Sequence, residues 1–85
     1  MSYIKQLRAN ISAEISRKDM TQTAVAELME LPANALSGRM RGKIPFRIHE
    51  LMFLAVILDV PLMTLLKGVE EAFRESLSSE GEQTS

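Results

Sequence analysis

Apolar residues recur at intervals of three and four along almost the whole chain, and prolines and glycines cut that rhythm into short helical segments. Ile4, Leu7, Ile11 and Ile15 form one stripe, which ends near Ser16-Arg17-Lys18, where positive charge suits a helix C-terminus. Thr21 is a good N-cap for a second helix, on which Val25, Leu28 and Met29 share a face beside the small Ala24 and Ala26. Pro32 lacks an N–H and fixes φ, so one helix stops before it and a third, carrying Leu36 and Met40, starts there. The turn residues Arg41 to Phe46 lead into a fourth helix from about Arg47 to Leu58, and Pro61 opens a fifth with Leu62, Leu65 and Leu66. Gly68 ends or kinks it. Beyond, Val69, Phe73 and Leu77 stand four apart in a short amphipathic stretch, and 78–85 has no apolar residue. The expected architecture is all-α: a compact five-helix domain over 1–68, a helical extension over 69–77 and a disordered acidic tail over 78–85.

The third helix has a free face of unusual composition. With Leu36 set inward at 0°, Met40 lies at about 40° and Ala33 at about 60°, which defines the core side. The opposite side carries Asn34, Gly38 and Arg41, with Ser37 and Ala35 on its flanks and Arg39 near the margin of the buried face. A short helix beside a tight turn, exposing Asn, Ser and Arg, has the chemistry of a major-groove reader. Asn can hydrogen-bond an adenine edge through both amide atoms, and Arg a guanine or a phosphate.

Four groups of residues, in order, carry a family likeness: Thr21-Gln22 followed by Val25-Ala26; Leu36-Ser37; Gly42; and Leu51, Leu54-Ala55, Leu58-Asp59-Val60-Pro61 with Leu65-Leu66. Over about residues 4 to 68 the chain resembles the Xre family of helix-turn-helix proteins, which includes the small Cro and repressor proteins of lambdoid phages. The resemblance implies a lambda-repressor-like fold and binding to double-stranded DNA, as a homodimer on an inverted-repeat operator. It assigns base-edge contacts to Ala33, Asn34, Ser37 and Gly38, among which Asn34 and Ser37 have the most suitable side chains. It assigns the DNA backbone to Gln22, Arg41, Lys43 and Arg47 and to main-chain N–H groups around Ile44 to Phe46, with Arg39 reaching the same strand. The chain departs from the family pattern at three positions. Pro32 replaces a capping Ser or Thr, Glu30 stands in the turn where glycine is common, and Gly38 stands where a base-reading side chain is often found.

Composition narrows the alternatives. Hydrophobic residues make up 46%, with only three Phe and one Tyr, so the core has to come from aliphatic residues and Met on packed helices. The six methionines read as gap-fillers. With no cysteine, thiolate zinc sites, disulfides and thiol catalysis are excluded. His49 stands alone, and no glycine-rich phosphate loop, nucleophile elbow or metal motif appears, so the chain reads as a non-enzyme without catalytic residues, metal or cofactor. No run of apolar residues is long enough for a membrane span and the N-terminal stretch lacks a signal-peptide pattern, so a cytoplasmic location is expected. Charge is unevenly spread. Residues 1–68 hold nine Lys/Arg against six Asp/Glu, net +3, and 69–85 hold one against five, net −4. A mildly basic domain of this kind favours a small DNA contact reinforced by dimerisation.

Two other readings compete with a Cro-like repressor. One is an antitoxin-like autoregulator that grips a partner protein through 69–77. The other is an interaction module that keeps the helices and has lost base readout, as the small residues Ala33, Ala35 and Gly38 would allow.

Overall fold

A computed structural model describes residues 2–84 of the chain, with side chains for 3–78. Six helices follow one another: α1 (Ser2–Arg17), α2 (Gln22–Leu28), α3 (Ala33–Met40), α4 (Ile48–Leu58), α5 (Leu62–Leu65) and α6 (Val69–Thr84), and no strand occurs among the described residues. The protein is thus all-α, with boundaries close to those that the prolines, glycines and caps predict. The sixth helix is the exception. It has 16 residues, as many as α1, so its backbone stays helical through most of the segment expected to be a disordered tail. Ser85 lies outside the described residues.

The core is aliphatic, with Ile11 and Ile15 from α1, Val25 and Ala26 from α2, Leu36 from α3, Leu51, Leu54 and Leu58 from α4, and Leu65 from α5. One expectation fails here: Leu28 is 53% exposed. On α2 the inward face runs through Val25, Ala26 and Met29, and Leu28 falls about 110° away from its centre.

Four helices end in the same way. Residues Asp19, Glu30, Gly42 and Asp59 adopt φ of 54°, 59°, 83° and 54° after α1, α2, α3 and α4. At each, two N–H groups fold back onto the last turn, as when Leu31 N–H reaches Ala26 O at 2.9 Å and Glu30 N–H reaches Glu27 O at 3.0 Å. The glutamate in the α2–α3 turn therefore adopts the left-handed conformation that glycine would take most easily. Thr21 caps α2 as expected, its Oγ1 accepting from Ala24 N–H at 3.1 Å. Pro32 offers no side-chain cap to α3; instead its carbonyl accepts from Ala35 N–H at 3.0 Å while φ of −59° leads the chain into the helix.

Helix α1 binds the ends of the molecule together. Asn10 Nδ2 donates to Leu65 O (2.9 Å) and Lys67 O (2.8 Å), which ties down the C-terminal end of α5, and Gln6 Nε2 holds Asn10 Oδ1 at 2.9 Å. The start of α6 lies along α1, with the Phe73 ring edge-on to Tyr3 at 5.1 Å between centroids. The extension is thus docked on the domain, with Leu77 left half-exposed. The described molecule measures 46 × 24 × 20 Å, with a radius of gyration of 13.9 Å. No described helix is long and apolar enough to cross a membrane.

Candidate nucleic-acid interface

Helices α2 and α3 and the turn 29–32 between them bring the expected contact residues to the surface unequally. On α3, Ala33 and Asn34 are exposed, as is Arg41 directly after its last residue, while Ser37 and Gly38 are half-buried. Gln22, the first residue of α2, is exposed and lines a shallow groove together with Ser37 and Arg41. Three of the predicted residues, from two helices, therefore meet at one place. Lys43 and Arg47 lie outside this groove, exposed on the segment between α3 and α4, and make no ion pair among the described residues.

Gly38 has a different use from the one expected. A Cβ built there would lie 3.2 Å from Ile44 Cδ1, and the Gly38 carbonyl accepts from Lys43 N–H at 2.9 Å and Ile44 N–H at 3.4 Å. The missing side chain lets the following loop fold back against α3. The base-reading role assigned to Gly38 has no side chain behind it, and that surface is partly covered by Ile44.

Arg39 is committed to the interior of the domain, which corrects its assignment to a DNA strand. Its Nε donates to Glu50 Oε1 and Oε2 at 3.0 and 3.1 Å, its Nη2 stands 2.9 Å from Oε2, and its Nη1 donates to Ala35 O at 2.9 Å. The two side chains are only 14% and 9% exposed. Glu50 also accepts from Arg47 N–H at 2.9 Å, closing the first turn of α4. The hydrogen bonds from Arg39 hold the Glu50 carboxyl below the usual carboxylate range against the opposing pull of burial, helped by the Arg47 N–H and the charges of Arg39 and His49. The pair locks the C-terminal half of α3 to the start of α4. It also uses the Arg47 N–H, and Ile44 N–H is turned to Gly38, so two main-chain donors near the expected phosphate site serve the fold.

Among protein-family models, curated proteins and solved structures, none matches this chain. The site is accordingly read from its own residues.

Two contributors escape the sequence reading. Glu50 is one, and the only signal for it in the sequence is its place three residues after Arg47, the capping-box spacing. Arg8 is the other: its Nη1 donates to Met40 O at 3.2 Å, and its guanidinium lies over Gly42, 3.1 Å from where a Cβ would stand. It caps the C-terminal end of α3, where a cation also meets the favourable end of the helix dipole. Its partner lies 32 residues away, and no periodic pattern along the chain joins the two. Elsewhere, Ile48, Met52 and Val56 make a bare apolar stripe on α4, with Val56 77% exposed. Among the described residues no group of three or more His, Cys, Asp or Glu is placed to hold a metal ion.

Proposed function

We propose that the protein is a sequence-specific double-stranded DNA-binding regulator of the Xre type, with the lambda-repressor-like arrangement in which α2 and α3 form the helix-turn-helix. The carrying observation is the convergence of Gln22, Ser37 and Arg41 on one groove, with Asn34 exposed on α3 and Lys43 and Arg47 exposed on the segment that follows it, without an ion pair among the described residues. In this reading α3 enters the major groove. Asn34 and Ser37 contact base edges, Gln22, Arg41, Lys43 and Arg47 contact the backbone, and Arg39 orients α3 from inside. With so few base contacts per chain, specific occupancy calls for a homodimer on half-sites about 34 Å apart, acting as a Cro-like repressor by covering a promoter. The uncharged stripe on α4 supports self-association.

Selection of bound duplexes from a random pool at about 150 mM salt, where non-specific phosphate attraction is weakened, tests the reading. One enriched inverted repeat is the expected result. On that repeat Asn34→Ala should relax preference at one base pair, whereas Lys43→Ala should weaken all sequences alike and lower the salt slope by about 1. Absence of duplex binding even at low salt would overturn it in favour of an interaction module. An antitoxin-like partner on 69–77 is disfavoured by the docking of Phe73 against Tyr3, and a co-purifying protein lost on truncation after Gly68 would reinstate it.

A further inference from the structure

The groove that gathers Gln22, Ser37 and Arg41 has a second wall, and the helix-turn-helix does not supply it. That wall is α1, which contributes Lys5, Arg8 and Ser12. Lys5, Arg8 and Arg41 thus give the groove three cations, and among the described residues no carboxylate lines it. The ion pairs among the described residues are spent elsewhere, on Glu14–Arg17, Arg39–Glu50 and Glu70–Arg74. Arg8 is held in place by its bond to Met40 O, and its Nε is buried with no hydrogen-bond partner. Three like charges around a groove that also offers an amide and two hydroxyls form a recess for an anion with several acceptor oxygens. The recess opens at the first turn of α2 and runs to the C-terminal end of α3, beside the helix expected to lie in the major groove. A phosphodiester of the DNA strand bordering that groove is the anion that fits this place.

We propose that this groove seats one backbone phosphate, so that α1, through Lys5, clamps the duplex from outside the helix-turn-helix. Arg8 then has two tasks: it caps α3 and adds fixed positive charge at the floor of the seat. The proposal rests on the DNA-binding reading.

The test is the salt dependence of binding to two unrelated labelled duplexes, followed by fluorescence anisotropy, for the intact chain and for Lys5→Ala, Lys5→Arg, Lys43→Ala and Lys67→Ala. Lys5 is exposed, so its removal should leave helicity and the melting temperature unchanged, whereas Arg8 variants would confound capping with binding. Lys67 lines a different groove. Expected are an equal loss of affinity on both duplexes and a slope lower by about 0.9 for Lys5→Ala. Lys5→Arg should restore the slope, and Lys67→Ala should leave it unchanged. A normal slope for Lys5→Ala alongside a reduced one for Lys43→Ala would overturn the clamp and leave the DNA-binding reading standing. No duplex binding by the unaltered chain at low salt would remove both.

Discussion

The chain after α3 returns across residue 38, where a side chain would meet only the tip of Ile44, and two demands that the sequence alone runs together come apart there. In the middle of a helix glycine costs about 1 kcal/mol against alanine. The atom a new Cβ would meet is the far end of the Ile44 side chain, which is 42% exposed and free to shift. Gly38→Ala is therefore expected to raise stability by up to about 1 kcal/mol in urea titrations; a loss would mean that Ile44 cannot move aside. Arg39 teaches a similar lesson. The helical wheel already set it near the buried margin of α3, but an arginine at that angle is legible only as amphipathic until its carboxylate partner is known. Glu50 is 11 residues away on another helix, and nothing in a periodic pattern joins the two.

The ends of the helices, more than their interiors, made the order of elements legible. Thr21, Pro32, Gly42, Pro61 and Gly68 act locally through capping, a fixed φ or a left-handed turn, and each stands at or within a residue or two of an observed boundary. Asp19, Glu30 and Asp59 fill the same left-handed role without announcing it, because no Cβ-bearing residue favours that conformation. Each also sets a carboxylate at the negative end of a helix dipole. Glu30→Gly should thus stabilise the protein by about 0.5 to 1 kcal/mol, the relief of strain exceeding glycine's extra unfolded-state entropy; an unchanged denaturation midpoint would contradict this. The Arg39–Glu50 bridge between α3 and α4 works in the opposite sense. Glu50→Gln leaves a nearly buried guanidinium short of its counter-charge and is expected to cost about 2 to 3 kcal/mol near neutral pH. Because the carboxyl titrates lower in the folded state than in the unfolded chain, its contribution is complete above the ordinary glutamate pKa and is lost as pH falls through the depressed one. The gap between wild type and Glu50→Gln should accordingly narrow on acidification, as thermal melts across an acid series would record.

At the scale of the whole molecule, α1 connects what the sequence presented as separate parts: it caps α3 through Arg8, ties down the end of α5 through Asn10 and receives α6 at Tyr3. None of these contacts was legible, since each joins residues more than 30 positions apart, and the helical tail was missed because polar residues without an apolar period carry no packing signal. The apolar stripe of α4 was equally hidden. The buried face of that helix, Leu51, Leu54 and Leu58, accounts for its helical period, and Ile48, Met52 and Val56 add apolar positions that the period does not assign to either side. If that stripe holds two protomers together, Val56→Glu should halve the mass measured by light scattering and leave the fold intact; an unchanged dimer would place the contact elsewhere. The long α6 bears on how such a measurement is chosen. A compact chain of 85 residues has a radius of gyration of about 12 Å, whereas 13.9 Å is the size of a compact chain of about 130 residues. A single protomer should then tumble and elute as a particle midway between one copy and two, so hydrodynamic drag will overstate its mass and scattered intensity will not.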